Sequence, residues 1–99
     1  VRDLNGAIFD LQKLNLIEPN QINNILDLAT IYAKSGKIDD AIDLTDKALQ
    51  IDSDNGNIIF WRGIYKIVNN NYSGGCKDVR KAKRMNASDY KVTMKRTCN

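Results

Sequence analysis

Chemistry in this 99-residue chain has to come from two cysteines, twelve carboxylates and fifteen basic side chains, because it contains no histidine. The commonest general base is therefore missing. Cys76 and Cys98, without histidine, fall short of the ligand set of an ordinary zinc site. Asp39, Asp40, Asp43 and Asp46 are spaced as on a helix surface and not as in a calcium loop. Ser73-Gly74-Gly75 reads as the start of a helix, since two adjacent glycines alone do not make a phosphate-binding loop. The sequence thus reads as non-enzymatic, with no metal and no cofactor expected.

What remains is charge, and it is divided along the chain. Residues 1–55 hold five basic and ten acidic side chains, net −5, whereas residues 56–99 hold ten basic and two acidic ones, net +8. The basic half includes Arg80, Lys81, Lys83, Arg84, Lys91, Lys95 and Arg96. One reading is a phosphate-binding surface for nucleic acid or an anionic membrane. The other is a solvated basic face attracted to the opposite end of the molecule or to an acidic partner. Few aromatic residues, Tyr72 and Tyr90, accompany these charges, so a stacking platform for single-stranded nucleic acid has little support.

The elements that position these groups read as helices. Ile8, Leu11, Leu14 and Ile17 recur at threes along a segment from Asn5 to Ile17, which Pro19 stops. Ile22, Ile25, Leu28, Ala29 and Tyr32 make a second stripe, ended by Ser35-Gly36. Ile38, Ala41, Ile42, Thr45, Ala48 and Leu49 make a third, with Asp39 and Asp40 suited to the positive end of its dipole. Asp52 to Gly56 form a turn cluster that caps the next helix. Ile58 to Val68 is apolar on almost every side, which predicts burial between neighbours. Asn69-Asn70-Asn71 closes it, Ser73 opens a helix reaching about Met85, and Ser88 caps a last one over Asp89 to Thr97. No alternating strand pattern competes. No apolar run approaches the roughly 18 residues that a membrane span needs. No signal peptide is evident, and the opening at Val1-Arg2-Asp3 is what a trimmed or processed fragment would give.

Part of the sequence is also written twice. Ala7-Ile8, Lys13 and Ile17-Glu18-Pro19-Asn20 recur 34 residues later as Ala41-Ile42, Lys47 and Ile51-Asp52-Ser53-Asp54. A fixed period of this size belongs to stacked helical hairpins. Leu28-Ala29-x-x-Tyr32 on a first helix, Gly36 at the turn, Ala41 and Ala48 on a second helix and the break at Asp52 to Asn55 together resemble the tetratricopeptide repeat (TPR), with Ser53 in place of its usual proline. Ala7, Leu11, Leu14 and Pro19 resemble the second helix of a preceding repeat. Arg62-Gly63 with Gly75, Asp78, Val79 and Ala82 resemble a divergent third repeat, in a familiar Arg-Gly variant. The resemblance implies an all-α right-handed superhelix of antiparallel hairpins. Its parts would be a half repeat (1–21), a repeat (22–55), a divergent repeat (56–87) and a capping helix (88–99).

The resemblance assigns roles to particular residues. Arg62 stands where the repeat places a buried leucine, and Asp78 stands opposite it on the next helix, either as a ligand-binding arginine or as an interhelix ion pair with the arginine stem on the core. Phe60, Trp61 and Ile64, with Leu26, Thr30 and Lys34, fall on the helix face that lines the concave groove in this family, where aromatic groups anchor peptides. Phe60 and Trp61 have a second reading, as packing residues against an upstream unit or the C-terminal cap. The clamp that some relatives carry for a peptide's C-terminal carboxylate needs Lys and Asn at set positions, and Leu26 and Thr30 occupy two of them. Cys76 opens one helix and Cys98 closes the next, at equal distance from the turn between them, so a disulfide tethering the cap competes with two buried thiols. A disulfide would point outside the cytosol. The function implied is protein or peptide capture in the groove, with electrostatic binding by the basic half or a purely structural role as alternatives. The apolar face of the unpaired first helix favours upstream sequence or self-association.

Overall fold

Leucine and isoleucine at three- and four-residue spacing, with glycine or asparagine at the breaks, produce five helices in the computed structural model, which describes residues 4–85, 87 and 98. They are α1 (Leu4–Ile17), α2 (Ile22–Lys34), α3 (Ile38–Ile51), α4 (Gly56–Val68) and α5 (Tyr72–Arg84). Among the described residues there is no strand, and no helix is long and apolar enough to cross a membrane. The helix expected over Asp89 to Thr97 lies outside the described residues.

Each helix packs on its chain neighbours, α2 against α3 and α4 against α5 as the two tight hairpins, with α3 bridging to α4 and α1 resting on α2. Three apolar clusters hold the stack. Ile25, Ala48 and Ile58 join α2, α3 and α4 at one level. Ala29, Ala41 and Tyr65 join the same helices at another. Ile59, Phe60, Ile67, Cys76, Val79 and Ala82 lock α4 onto α5. Burial of α4 between its neighbours follows from its nearly continuous apolar sequence, and Ile58, Ile59, Phe60, Gly63, Tyr65 and Ile67 are all buried.

The 34-residue period is visible in the backbone bonds at the breaks. Lys37 N–H donates to Tyr32 C=O and Gly36 N–H to Ala33 C=O, and Asn71 donates to Lys66 and Asn70 to Ile67 in the same pattern 34 residues on. Both are helix ends closed by a left-handed residue. Gly36 has φ +86°, and Asn70 takes φ +67°, which asparagine tolerates better than most side chains.

Two helix starts differ from the sequence expectation. α4 begins at Gly56 and not Ile58, because the Asn55 side chain accepts from Asn57 N–H (3.1 Å) and Ile58 N–H (3.2 Å) and so draws Gly56 into the first turn. α5 begins at Tyr72 and not Ser73, because Asn71 caps it by accepting from Gly74 N–H at 3.0 Å.

Candidate binding groove

α2 and α4 are the first helices of consecutive hairpins, and a cavity of about 360 Å³ opens between them. Its apolar walls are Leu26 on α2 and Ile58 and Trp61 on α4. Thr30, Thr45 and Tyr65 bring hydroxyls to it, and Asn55 and Asn57 bring amides from the junction between the hairpins. Among the described residues, no charged side chain lines it.

Several of these polar groups are already held by the fold. Thr30 donates to Leu26 C=O at 2.9 Å, and Thr45, fully buried on α3, donates to Ile42 C=O at 2.7 Å. The Asn55 side chain caps α4 and donates to Asp52 Oδ2 at 3.2 Å. Tyr65 is buried, and loss of solvent pushes its phenol above the ordinary range, with its polar contact with the Thr30 hydroxyl opposing. The groove is therefore an apolar slot with a preformed, neutral polar rim, the composition that orients a ligand without a charge requirement.

Trp61 is the accessible aromatic of the site at 39% exposure. Phe60 meets it edge-on at 5.3 Å and 80°, and Tyr65, one turn along α4, lies 6.2 Å away tilted by 39°. Aromatic pairs in such geometries favour each other beyond area burial alone, so the indole is supported from beneath.

The sequence-derived groove residues divide. Leu26, Thr30 and Trp61 line the cavity together. Phe60 does not: it is 2% exposed and belongs to the α4–α5 core, because one helical position separates it by about 100° from Trp61. Ile64 is half-buried and packs against that same core. Lys34 is exposed in the last turn of α2, away from the cavity lining. Phe60 belongs instead to the cluster with Val79 and Ala82, against which Met85, Ala87 and Cys98 also pack, and the capping helix of its second reading lies outside the described residues. Thr45, Asn55, Asn57, Ile58 and Tyr65 escaped the sequence reading. Asn55 and Asn57 carried a signal, since the capping cluster at the hairpin junction must border the gap between successive first helices.

Arg62 makes an interhelix ion pair with Asp78. Its Nε donates to Asp78 Oδ2 at 2.9 Å and its Nη2 to Oδ1 at 3.0 Å, a two-pronged contact. Its Nη1 reaches Asp46 Oδ1 at 2.9 Å, and Lys66 Nζ lies 3.0 Å from Asp78 Oδ2. The bond to Asp78 raises the Arg62 guanidinium further above its already high range, against the opposing effect of burial. Two cations and two carboxylates thus neutralise one another across α3, α4 and α5, outside the groove lining. Cys76 and Cys98 form a disulfide, with Cα atoms 5.1 Å apart. No cluster of three or more potential metal ligands occurs among the described residues.

No family model matches the chain, and no curated protein is similar to it by sequence. Among solved structures, the crystal structure of MamA superposes with a TM-score of 0.77 at 23% identity over 85% of this chain. The chain spans about half of MamA, 49% of its length. The shared architecture is the TPR-like stack of antiparallel helical hairpins, so the all-α fold class read from the 34-residue period holds.

Proposed function

We propose that this chain is a non-enzymatic module that captures a peptide or an extended protein segment in the groove between α2 and α4. One observation carries the reading: an exposed tryptophan, supported from below by Phe60 and beside by Tyr65, stands over a neutral slot of peptide-side-chain size. Tryptophan in a partly enclosed pocket is the residue type that most often dominates binding energy at protein interfaces. Leu26 and Ile58 supply the facing apolar walls. Among the described residues the lining holds neither Lys nor Arg, so a clamp on a C-terminal carboxylate is not the mode proposed. An apolar side chain in the slot, with main-chain groups along the rim, is. The non-enzymatic reading rests on the missing histidine and on carboxylates placed on helix surfaces or in ion pairs. The Cys76–Cys98 disulfide supports an oxidising compartment for this activity.

The test uses peptides selected from a random displayed library against the full chain. Trp61→Ala is expected to weaken the selected peptides by about 2 kcal/mol, roughly 30-fold, while the thermal midpoint stays close to that of the unsubstituted chain. Selected peptides that bind Trp61→Ala with unchanged affinity would show that capture happens elsewhere.

A further inference from the structure

The second helices of the hairpins, α3 and α5, carry opposite charges on their outer surfaces. On α5 the buried residues Gly75, Cys76, Asp78, Val79 and Ala82 define the inner face. Lys77, Arg80, Lys81 and Arg84 are all exposed, and their spacing of three, four and seven residues stacks them directly opposite that face. None of the four has a carboxylate within ion-pair distance among the described residues. Four like charges along about 10 Å of helix repel one another and weaken the helix that carries them. Nothing in the internal packing requires them.

The counterpart lies at the other end of the same face. α1 and α3 flank a second, more open cleft, floored by Leu28 of α2 and edged by Leu16 of α1 and Leu44 of α3. Asp40 and Asp43 stand on its α3 side, exposed and without an ion-pair partner among the described residues. Asn15 contributes a buried side-chain oxygen with no hydrogen-bond partner among the described residues. The cleft thus sets two exposed carboxylates and one unpartnered amide oxygen beside an apolar wall, and Leu16 is 83% exposed. Lysine and arginine fit both halves of such a surface, laying their aliphatic stems on leucine and their charged heads on carboxylates.

We infer that the occupant of the α1/α3 cleft is the α5 stripe of a second copy of this chain. α1, α3 and α5 are successive second helices of a hairpin stack, so cleft and stripe share one face at opposite ends. A two-fold axis across that face sets two copies antiparallel and makes both contacts at once, cleft to stripe and stripe to cleft. The same operation lays the acidic half of each copy against the basic half of the other. A polyanion would satisfy the stripe alone and leave Asp40, Asp43, Asn15 and Leu16 without a role.

Sedimentation equilibrium of the full chain tests this. A dimer is expected at about 20 mM salt, with its dissociation constant rising at least about tenfold by about 500 mM as the charges are screened. Asp40→Lys/Asp43→Lys and Lys77→Glu/Lys81→Glu are each expected to be monomeric. Mixed in equal amounts they are expected to dimerise, because the reversed cleft of one then meets the reversed stripe of the other at one contact and native cleft meets native stripe at the second. The neutral pairs Asp40→Asn/Asp43→Asn and Lys77→Gln/Lys81→Gln, also expected to be monomeric, serve if a reversal perturbs folding. A monomer at low salt, dimerisation that survives either substitution pair, or a mixture of reversals that stays monomeric would each overturn the inference. A monomer that binds duplex DNA or anionic vesicles through Lys77 and Lys81 would overturn it in favour of a polyanion.

Discussion

Tyr65 and Arg62 sit three positions apart on α4 and answer to different physics. The Tyr65 phenol is buried and neutral, and desolvation raises its folded-state value above the ordinary one near 10. Below the unfolded-state value both states hold the proton, and the stability is complete. As pH rises through about 10 the unfolded chain ionises first, so stability falls. Tyr65→Phe should remove that contribution, so the urea midpoint of the variant should drop less between about pH 8.5 and pH 10.5 than that of the unsubstituted chain; equal drops would mean that the burial is not felt. Arg62 offers the opposite case, a permanent charge whose partners are the issue. Removing it leaves the buried Asp78 with Lys66 alone, whereas removing Asp78 leaves Arg62 with the half-exposed Asp46. Arg62→Met should therefore cost more than Asp78→Asn, about 3 kcal/mol against about 1–2, and the double variant should cost less than the sum. Additive losses in chemical denaturation would show that the two groups are not coupled. Asp46 and Asp78 lie 16 positions before and after Arg62. That symmetry is present in the sequence, but only the half pointing to Asp78 is legible there, because Asp46 also fits a solvated helix surface.

Helix against helix, α4 and α5 pack most extensively, and two glycines let their backbones come close. A Cβ added at Gly63 would stand 2.7 Å from Gly75 C=O, and one added at Gly75 would stand 2.6 Å from Gly63 C=O. Backbone occupies the space on both sides, so nothing flexible can yield. Gly63→Ala is expected to destabilise the fold by about 1–3 kcal/mol despite alanine's better helix propensity; a neutral or stabilising result in thermal unfolding would mean that the helices can separate freely. The close approach also accounts for the Arg-Gly pair, since the short gap lets Arg62 span to Asp78 with two bonds. The helices themselves are legible in the sequence because apolar spacing, Pro19, Gly36 and the asparagine cluster each act locally. The helix starts differ by one or two residues, because Asn55 and Asn71 compete with Gly56 and Ser73 and only three-dimensional geometry decides which side chain reaches the free N–H groups. Phe60 differs for a related reason. On a helix apolar all round, neighbouring positions cannot be divided between groove and core until the partners on both sides are known. Trp61 lines the cavity together with Leu26 and Thr30, while the asparagines at the junction are not legible in the sequence as neighbours of it, because a repeat pattern describes helices better than the turns between them.

Across the whole molecule, stability in such a stack is a chain of neighbour-to-neighbour contacts, so a restraint at one end acts first on the terminal hairpin. The Cys76–Cys98 bond is a restraint of that kind. It ties position 98 to the first half of α5 across a sequence separation of 22; Cys76 belongs to the apolar cluster that includes Phe60, Val79 and Ala82, and Cys98 packs against it. Equal distance from an intervening turn makes the pairing plausible from sequence, but two buried thiols fit the same spacing. The same reasoning limits its reach. The groove is lined by α2, α3 and α4 and, among the described residues, by none of α5, so the proposed binding surface is separated from the bond by α4, with Phe60 as the aromatic that touches both sides. Closing a loop of this length contributes about 3 kcal/mol in the chain-entropy treatment. Reduction should therefore lower the thermal midpoint by on the order of 10 °C, and Cys76→Ser/Cys98→Ser should match the reduced protein. At temperatures where the reduced protein remains folded, the Trp61 emission maximum and the affinity for selected peptides should not change. A reduced chain that melts with the oxidised one would deny the bond any part in stability. A reduced chain that stays folded but loses peptide binding would mean instead that the terminal hairpin positions Trp61, and that the groove reaches further along the stack than α2 and α4.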